Sequence, residues 1–285
     1  MNRTVYVNGE YVPEHDARIS VFDRGFLFAD AVYEVTAVLD GKLVEFEPHI
    51  TRLERSLSEL GMPMPCDADA LLAIHRELVS RNAVTEGLVY LQVSRGAADR
   101  DFAFPAANTE QTLVLFTQHK NFLTAASAET GISVISLPDK RWGRRDIKTV
   151  QLLYPSLAKM EAKQAGADDA WMVDDIGVTE GSSNNAYIVL ADGRIVTRNL
   201  GHDILPGITR RTVLKCAGDL QLTVEERPFS LEEAADAVEA FYSSATGFVT
   251  PVVALDGKPI GDGKPGPVTR RLREIYIQDA LQNAI

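Results

Sequence analysis

The chain has little cysteine. Only Cys66 and Cys216 occur in 285 residues, far apart and in no CxxC or Cys/His cluster. That excludes a disulfide framework and a structural zinc site, and no bound metal is expected. No apolar run is long enough to span a bilayer, and the opening MNRTVYVNGEY has no apolar stretch of signal-peptide length. A soluble, cytoplasmic protein is the expectation. Positive charge is also in short supply: 29 basic against 40 acidic residues leave a net charge of −11. That sign argues against nucleic acid or an anionic membrane as partner, and an anionic ligand would need a local basic pocket. Internal repeats and low-complexity tracts are absent.

What is present suits a packed core. Hydrophobic residues make up 45% of the chain and charged residues 24%, enough for one large domain or two of ordinary size. Asn8-Gly9, Asp40-Gly41, Asp192-Gly193 and Asp256-Gly257 each sit between strand-like runs and read as hairpin turns. Further strands are expected at 88–94, 113–117, 132–136 and 170–173. Ile50, Leu53, Leu57 and Leu60 form a helical stripe ending at Gly61. Asp67 can cap a second helix to about Arg81, and a third spans about Pro155 to Ala165 before Gly166. Thr209 to Ala217 reads as a helix closed by Gly218, Ser230 and Glu233 as a capping box, and 268–283 as the last helix. Hairpins separated by helices indicate an α+β architecture and not a parallel βαβ sheet. The weakly periodic segment Gln118–Glu129 is the expected linker. The expected division is a small N-terminal α+β domain over 1–120, a linker over 121–129 and a larger C-terminal α+β domain over 130–285.

One lysine does not fit its surroundings. In RWGRRDIKTVQLL, Arg141, Arg144 and Arg145 read as solvated cations, but Lys148 lies between Ile147 and the apolar Val150, Leu152 and Leu153. A buried lysine is costly unless paired, deprotonated or covalently used. It either snorkels to solvent or serves as a neutral nucleophile able to form a Schiff base.

Other segments bear on the choice. In VTEGSSNNAYIVL, Glu180 enters a sheet from a polar turn, either as a surface residue or as the partner of a buried cation such as a protonated pyridine. In LPGITRRTVLKCAG, the helix start near Ile208 and Thr209 offers free N–H groups and a hydroxyl to an anion. The small-residue turn of FYSSATGFVTPV, around Thr246, can expose further N–H groups. Arg52 lies off the apolar stripe of its helix, either solvated or turned to a phosphate. A lysine, a carboxylate, two N–H-rich turns and an arginine are the set that pyridoxal 5′-phosphate requires.

The blocks DRGFLFADAVYE, PHITRL, RGAADRDFAFP, DIKTVQLL, TEGSSNN, PGITR and SSATGFVTPV, in that order, resemble the fold-type IV pyridoxal-phosphate enzymes over nearly the whole chain, and among them the D-amino acid transaminases. The resemblance implies a two-domain fold with the cofactor between the domains, and a homodimer. It implies Lys148 as the Schiff-base lysine and Glu180 as the partner of the pyridine nitrogen. Arg52, Ile208, Thr209 and Thr246 match phosphate-binding positions, with Ile208 and Thr246 acting mainly through the backbone. Leu205 matches a leucine packed on the cofactor ring, and Tyr33 a tyrosine near the substrate carboxylate. The implied reaction moves the amino group of a D-amino acid of the D-alanine type to pyruvate or 2-oxoglutarate. An L-branched-chain aminotransferase and an aminodeoxychorismate lyase are the alternatives, against which Tyr33-Glu34-Val35 and Arg100 count. A binding protein on the same scaffold would need neither Lys148 nor Glu180.

The sequence departs from the family pattern at the substrate clamp, where Arg-x-His becomes Arg100-Asp101-Phe102. A charged hydrogen bond is worth about 1.5–3 kcal/mol, so a loosened carboxylate clamp and some activity toward (R)-primary amines are expected. Phe102 makes that side more apolar.

Overall fold

The computed structural model describes residues 3–285. They form two compact units, one of residues up to 121 with 147–151 and 281–285, the other of 122–146 and 152–280.

The first unit contains β1 (Thr4–Val7), β2 (Glu10–Pro13), α1 (Arg24–Phe28), β3 (Ala31–Leu39), β4 (Lys42–Leu43), α2 (Phe46–Glu59), α3 (Ala68–Arg81), β5 (Glu86–Ser94) and β6 (Thr112–His119). Its six strands run β2-β1-β6-β5-β3-β4, all antiparallel. The Asn8-Gly9 and Asp40-Gly41 turns have positive φ at both residues, as tight hairpins require. The stripe of α2 buries Ile50, Leu53 and Leu57, and the chain leaves that helix through Gly61 at φ 63°. Asp67 caps α3 by accepting from the Ala70 N–H at 2.7 Å.

The second unit contains α4 (Ala126–Thr130), β7 (Ile132–Pro138), α5 (Leu153–Gln164), β8 (Asp169–Asp174), β9 (Gly177–Gly181), β10 (Asn185–Val189), β11 (Ile195–Thr197), α6 (Ile208–Asp219), β12 (Val224–Glu226), α7 (Leu231–Ala235), β13 (Glu239–Ser244), β14 (Phe248–Leu255), β15 (Lys258–Pro259) and α8 (Pro267–Asn283). Strands run β12-β11-β10-β13-β14-β7-β8-β9, with β15 on β14. Trp171, Val178, Ile188, Phe229 and Val252 are among the residues of its main core, and α5 buries Ala158 and Ala162 against Leu137 and Met172.

The mixed α+β class stands, with four differences in detail. The second sheet is mixed, since β7–β8, β7–β14 and β11–β12 pair in parallel. A hairpin-rich sequence hides these pairings because they join strands distant in the chain. The expected linker is not structureless: β6 takes Gln118 and His119, and α4 takes Ala126 to Glu129. The capping box is half made. Ser230 accepts from the Glu233 N–H at 3.1 Å, but the Glu233 carboxylate turns to Arg227 instead. Finally, 147–151, expected in the C-terminal domain, belongs with the first unit. Tyr33 N–H donates to Lys148 O at 3.0 Å and Val150 N–H to Ala31 O at 3.1 Å, extending the β3 edge. Among the described residues no helix is long and apolar enough to cross a membrane.

Candidate active site

Strand pairing decides where Lys148 goes. Thr149 bridges to Val32, so alternation along this short stretch sets the Lys148 side chain beside that of Tyr33. Its Nζ lies 4.2 Å from the Tyr33 ring centroid, a cation–π contact. No ion pair among the described residues involves Lys148, which is half-buried. Tyr33 stacks on Tyr90 at 5.5 Å and Tyr90 on Phe116 at 4.7 Å, giving the lysine a stiff aromatic floor. Burial, then Tyr33, pushes the Tyr90 phenol up.

One residue along β3, Glu34 points to the opposite face and is buried with Arg52 and His49 of α2. Arg52 grips it in a fork, Nε to Oε1 at 2.8 Å and Nη2 to Oε2 at 2.7 Å, while His49 Nδ1 meets Oε2 at 2.7 Å. Burial alone would raise the Glu34 carboxyl. The charge and hydrogen bonds of Arg52 and His49 outweigh it and hold Glu34 far below the usual carboxylate range. Arg52 is therefore neither solvated nor isolated: it is buried and locked by Glu34, which His49 holds in turn, a partnership that the sequence alone did not reveal.

Arg100 and Phe102 stand apart from this group. Arg100 is exposed, and its guanidinium lies 5.4 Å from the Phe28 ring and 5.6 Å from that of Phe102. Phe102 is 80% exposed. The loop is nevertheless fixed: buried Arg24 donates to the carbonyls of Asp101 at 2.7 Å and Ala103 at 3.3 Å, with its Nε on Asp30. Asp101 points outward and accepts from the Ala103 N–H.

In the second unit, Glu180 lies on β9, which is buried throughout. Its Oε1 accepts from Arg141 Nη1 at 2.5 Å, its Oε2 from Asn185 Nδ2 at 3.0 Å, and both oxygens face the Leu205 N–H at 3.2–3.3 Å. Burial pushes the Glu180 carboxyl up; Arg141 and the Leu205 N–H pull it back without restoring the ordinary value. The reading of Arg141 and Arg145 as solvated is overturned. Arg141 is 13% exposed and also binds buried Asp139, through Nε at 3.0 Å and Nη2 at 2.7 Å, and Arg145 is 11% exposed beside the same carboxylate. Burial would lower Arg141, but Glu180 and Asp139 together raise it. Arg144, the third, is one-third exposed and paired with buried Asp146.

Asn185 ties this carboxylate to the next segment, donating also to Leu205 O at 3.0 Å. A Cβ on Gly207 would lie 2.1 Å from Asn185 Oδ1, so a larger residue here would displace the side chain that holds Glu180. Gly207 leaves α6 with no side-chain cap. Ile208 and Thr209 form its first turn, both buried, and the Thr209 hydroxyl has no hydrogen-bond partner among the described residues. A helix start with free N–H groups and an orphaned buried hydroxyl fits an anion such as a phosphate. Thr246 is exposed in the turn from β13 to β14, where the Gly247 N–H donates to Ser244 Oγ at 2.9 Å.

The structure therefore gathers Lys148 with Tyr33 in one unit, and Glu180 with Leu205 in the other beside the α6 start. Arg141, Asn185, Glu34 and His49 were missed as contributors. The signal for Glu34 was available, since it is the one charged residue in the largely apolar run of β3; His49, set among Glu47, Thr51 and Arg52 on α2, carried none.

The family of class IV amino-transferases matches residues 31–255. Among curated proteins the chain is 38% identical over 270 residues to a D-alanine aminotransferase of Staphylococcus aureus (strain MSSA476), covering 95% of both. It is 37% identical over 282 residues to a D-alanine aminotransferase of Bacillus licheniformis, covering 99% of this chain and 96% of that one. Among solved structures it superposes on a T.th. branched-chain aminotransferase with pyridoxamine 5′-phosphate, at a TM-score of 0.89 and 27% identity, covering 98% and 94%. The branched-chain aminotransferase of Escherichia coli gives a TM-score of 0.89 at 24% identity, covering 98% and 95%, a likeness of fold.

Proposed function

The chain belongs to the class IV aminotransferase family, and from that premise we propose that it moves the amino group of D-amino acids of the D-alanine type to pyruvate or 2-oxoglutarate, with pyridoxal 5′-phosphate as cofactor. The observation that carries the substrate class is the likeness to D-alanine aminotransferases over 95% or more of both chains.

The residues fit the cofactor on observations of the chain itself: the orphaned Thr209 hydroxyl at the α6 start, a buried carboxylate at Glu180, and at 148 a lysine that no ion pair among the described residues involves. Pyridoxal 5′-phosphate supplies, when bound, an aldehyde that takes up an amine and a ring that accepts electrons from the substrate Cα. Lys148 Nζ is the proposed attachment point and, once freed, the base that takes the Cα proton and returns it as an acid. Glu180 holds the proton on the pyridine nitrogen, with Arg141, Asn185 and the Leu205 N–H keeping its carboxylate in place. The Leu205 side chain packs on the ring. Arg52, Thr209 and the backbone at Ile208 and Thr246 take the phosphate, Arg52 being preset by Glu34 and His49. Tyr33 orients the substrate near the lysine.

Arg100 is the proposed carboxylate clamp, with Phe102 in place of a second donor. A relaxed specificity extending to (R)-primary amines follows. The side chains of Val21, Phe22, Phe26, Phe102 and Phe104 are each exposed, apolar surface of the kind that protein partners cover, and a homodimer is proposed to cover it. A cytoplasmic location accords with the two free cysteines.

A second reading, an L-branched-chain aminotransferase, draws on the names of the superposed structures. The visible spectrum of the loaded enzyme separates the two. With D-alanine and no keto acid, the yellow band is expected to fade. A band that persists with D-alanine but fades with L-valine would sink the D-amino acid reading and leave the cofactor standing.

A further inference from the structure

Helix α8 carries a buried cation that the chemistry above does not use. Arg273 is 9% exposed. Its Nη1 donates to the carbonyl oxygens of Gly247 at 3.0 Å and Val249 at 2.9 Å, and its Nη2 to that of Phe122 at 2.6 Å. All three acceptors are backbone carbonyls, and no ion pair among the described residues involves it. A guanidinium out of water without a counter-charge is costly. Burial accordingly lowers its pKa, opposed only by the Tyr242 phenol.

The two carbonyls on Nη1 flank an unusual residue. Phe248 has φ 55°, a left-handed conformation that a bulky aromatic rarely adopts. Its ring is fully buried against Phe122 at 5.5 Å and Tyr276 at 5.3 Å. Arg273 holds the carbonyls of the residues before and after it, and Thr250 Oγ1 donates to Gly247 O at 2.8 Å as well. The turn that this grip holds contains Thr246.

We propose that Arg273 is a positioning residue of the phosphate site, holding the Ser244–Val249 turn in shape while its unpaired charge is answered by the phosphate of the bound cofactor. The proposal rests on the cofactor reading above. A purely structural role would leave the chain's preference for a phosphorylated ligand untouched, and that is what the test reads.

The full chain, stripped of cofactor, is titrated with pyridoxal 5′-phosphate and with pyridoxal, which lacks the phosphate. Arg273→Met is expected to weaken binding of the phosphate ester about tenfold or more, as the loss of about 1.4 kcal/mol of charge interaction would, with pyridoxal changed by less than about twofold. Arg273→Lys, which keeps the charge, is expected to keep most of the preference. Equal losses for both ligands, or none for either, overturn the proposal. If Arg273→Met does not fold, Arg273→Gln takes its place beside Arg273→Lys. Preference kept by Lys and lost by Gln then supports the proposal, and preference kept or lost by both overturns it. A wild-type chain that binds neither ligand overturns the cofactor reading, and the proposal with it. A wild type that discriminates, beside a variant that discriminates equally well, overturns the proposal alone.

Discussion

Glu34 and Glu180 are both buried carboxylates gripped by an arginine, yet their pKa values move in opposite directions. Glu34 has the fork of Arg52 on both oxygens and His49 beside it, and is held far below the usual range. Glu180 shares its arginine: Arg141 gives it one Nη and turns its other two nitrogens to Asp139, whose own charge raises Glu180 further. One carboxylate is locked; the other keeps a demand for positive charge that its neighbours leave partly unmet. A saturated pair is suited to fixing an arginine in place. An unsaturated carboxylate is suited to holding a proton on a cationic ring, the task proposed for Glu180.

The largest expected effect tests that difference directly. Glu180→Gln keeps the shape and removes the charge, so kcat/KM for D-alanine is expected to fall about 10²- to 10⁴-fold, the range for a positioned proton-handling group. The melting temperature of the apo chain is expected to hold or rise, since a poorly compensated buried charge has gone. A loss below tenfold would mean that Glu180 does not serve the reaction. Glu34→Gln should do the reverse to the fold. It leaves Arg52 buried without its counter-charge, which costs about 3–5 kcal/mol of stability, read as a lower urea midpoint at unchanged slope. Equal stability losses in the two variants would break the contrast.

The pH dependence of stability sharpens it with smaller effects. Glu34 binds its proton less readily folded than unfolded, so its contribution is present above its ordinary value of 4.5 and lost as pH falls through that range and below. His75 acts in the same direction: burial lowers it from 6.5 to about 4, so stability is lost as pH falls through 6.5 toward 4. Glu180 has the opposite sign. Its raised carboxyl favours the folded state when protonated, and that contribution is lost as pH rises above 4.5. Glu34→Gln is therefore expected to flatten the acid limb of a melting-temperature profile, and Glu180→Gln to flatten the loss on its upper side. Profiles of all three proteins in the same buffers decide it.

Much of this was legible in the chain, and the missing parts share a cause. Helix stripes and Asp/Asn-Gly turns are local signals, and α2, α3 and all four hairpin turns follow them. Lys148 announced itself as a cation in an apolar segment. Arg141 did not, because a cation among charged neighbours reads the same whether solvated or held by a carboxylate 39 positions on. The parallel pairing of β7 with β8 and β14 is likewise non-local. So is the transfer of 147–151 to the first unit, which depends on a β3 edge more than 100 residues earlier. The clamp loop was readable in composition only. Nothing in DRDFAF tells that Arg24 holds the carbonyls of 101 and 103.

That loop carries the smallest effect and the most specific one. Arg100 lies over the rings of Phe28 and Phe102, is exposed and belongs to neither buried pair. Arg100→Ala should therefore leave stability within about 0.5 kcal/mol of wild type, as surface substitutions do. If Arg100 is the carboxylate clamp, the loss falls on substrates with a carboxylate. A single charged hydrogen bond of about 1.5–3 kcal/mol corresponds to a tenfold to hundredfold fall in kcat/KM for D-alanine. An (R)-primary amine of similar size, having no carboxylate, should be unaffected. Restoring the missing donor with Phe102→His should move D-alanine the other way and leave the amine unchanged or worse. If D-alanine and the amine respond alike to both substitutions, the loop shapes the site without reading the carboxylate, and the relaxed specificity proposed from Phe102 has no basis.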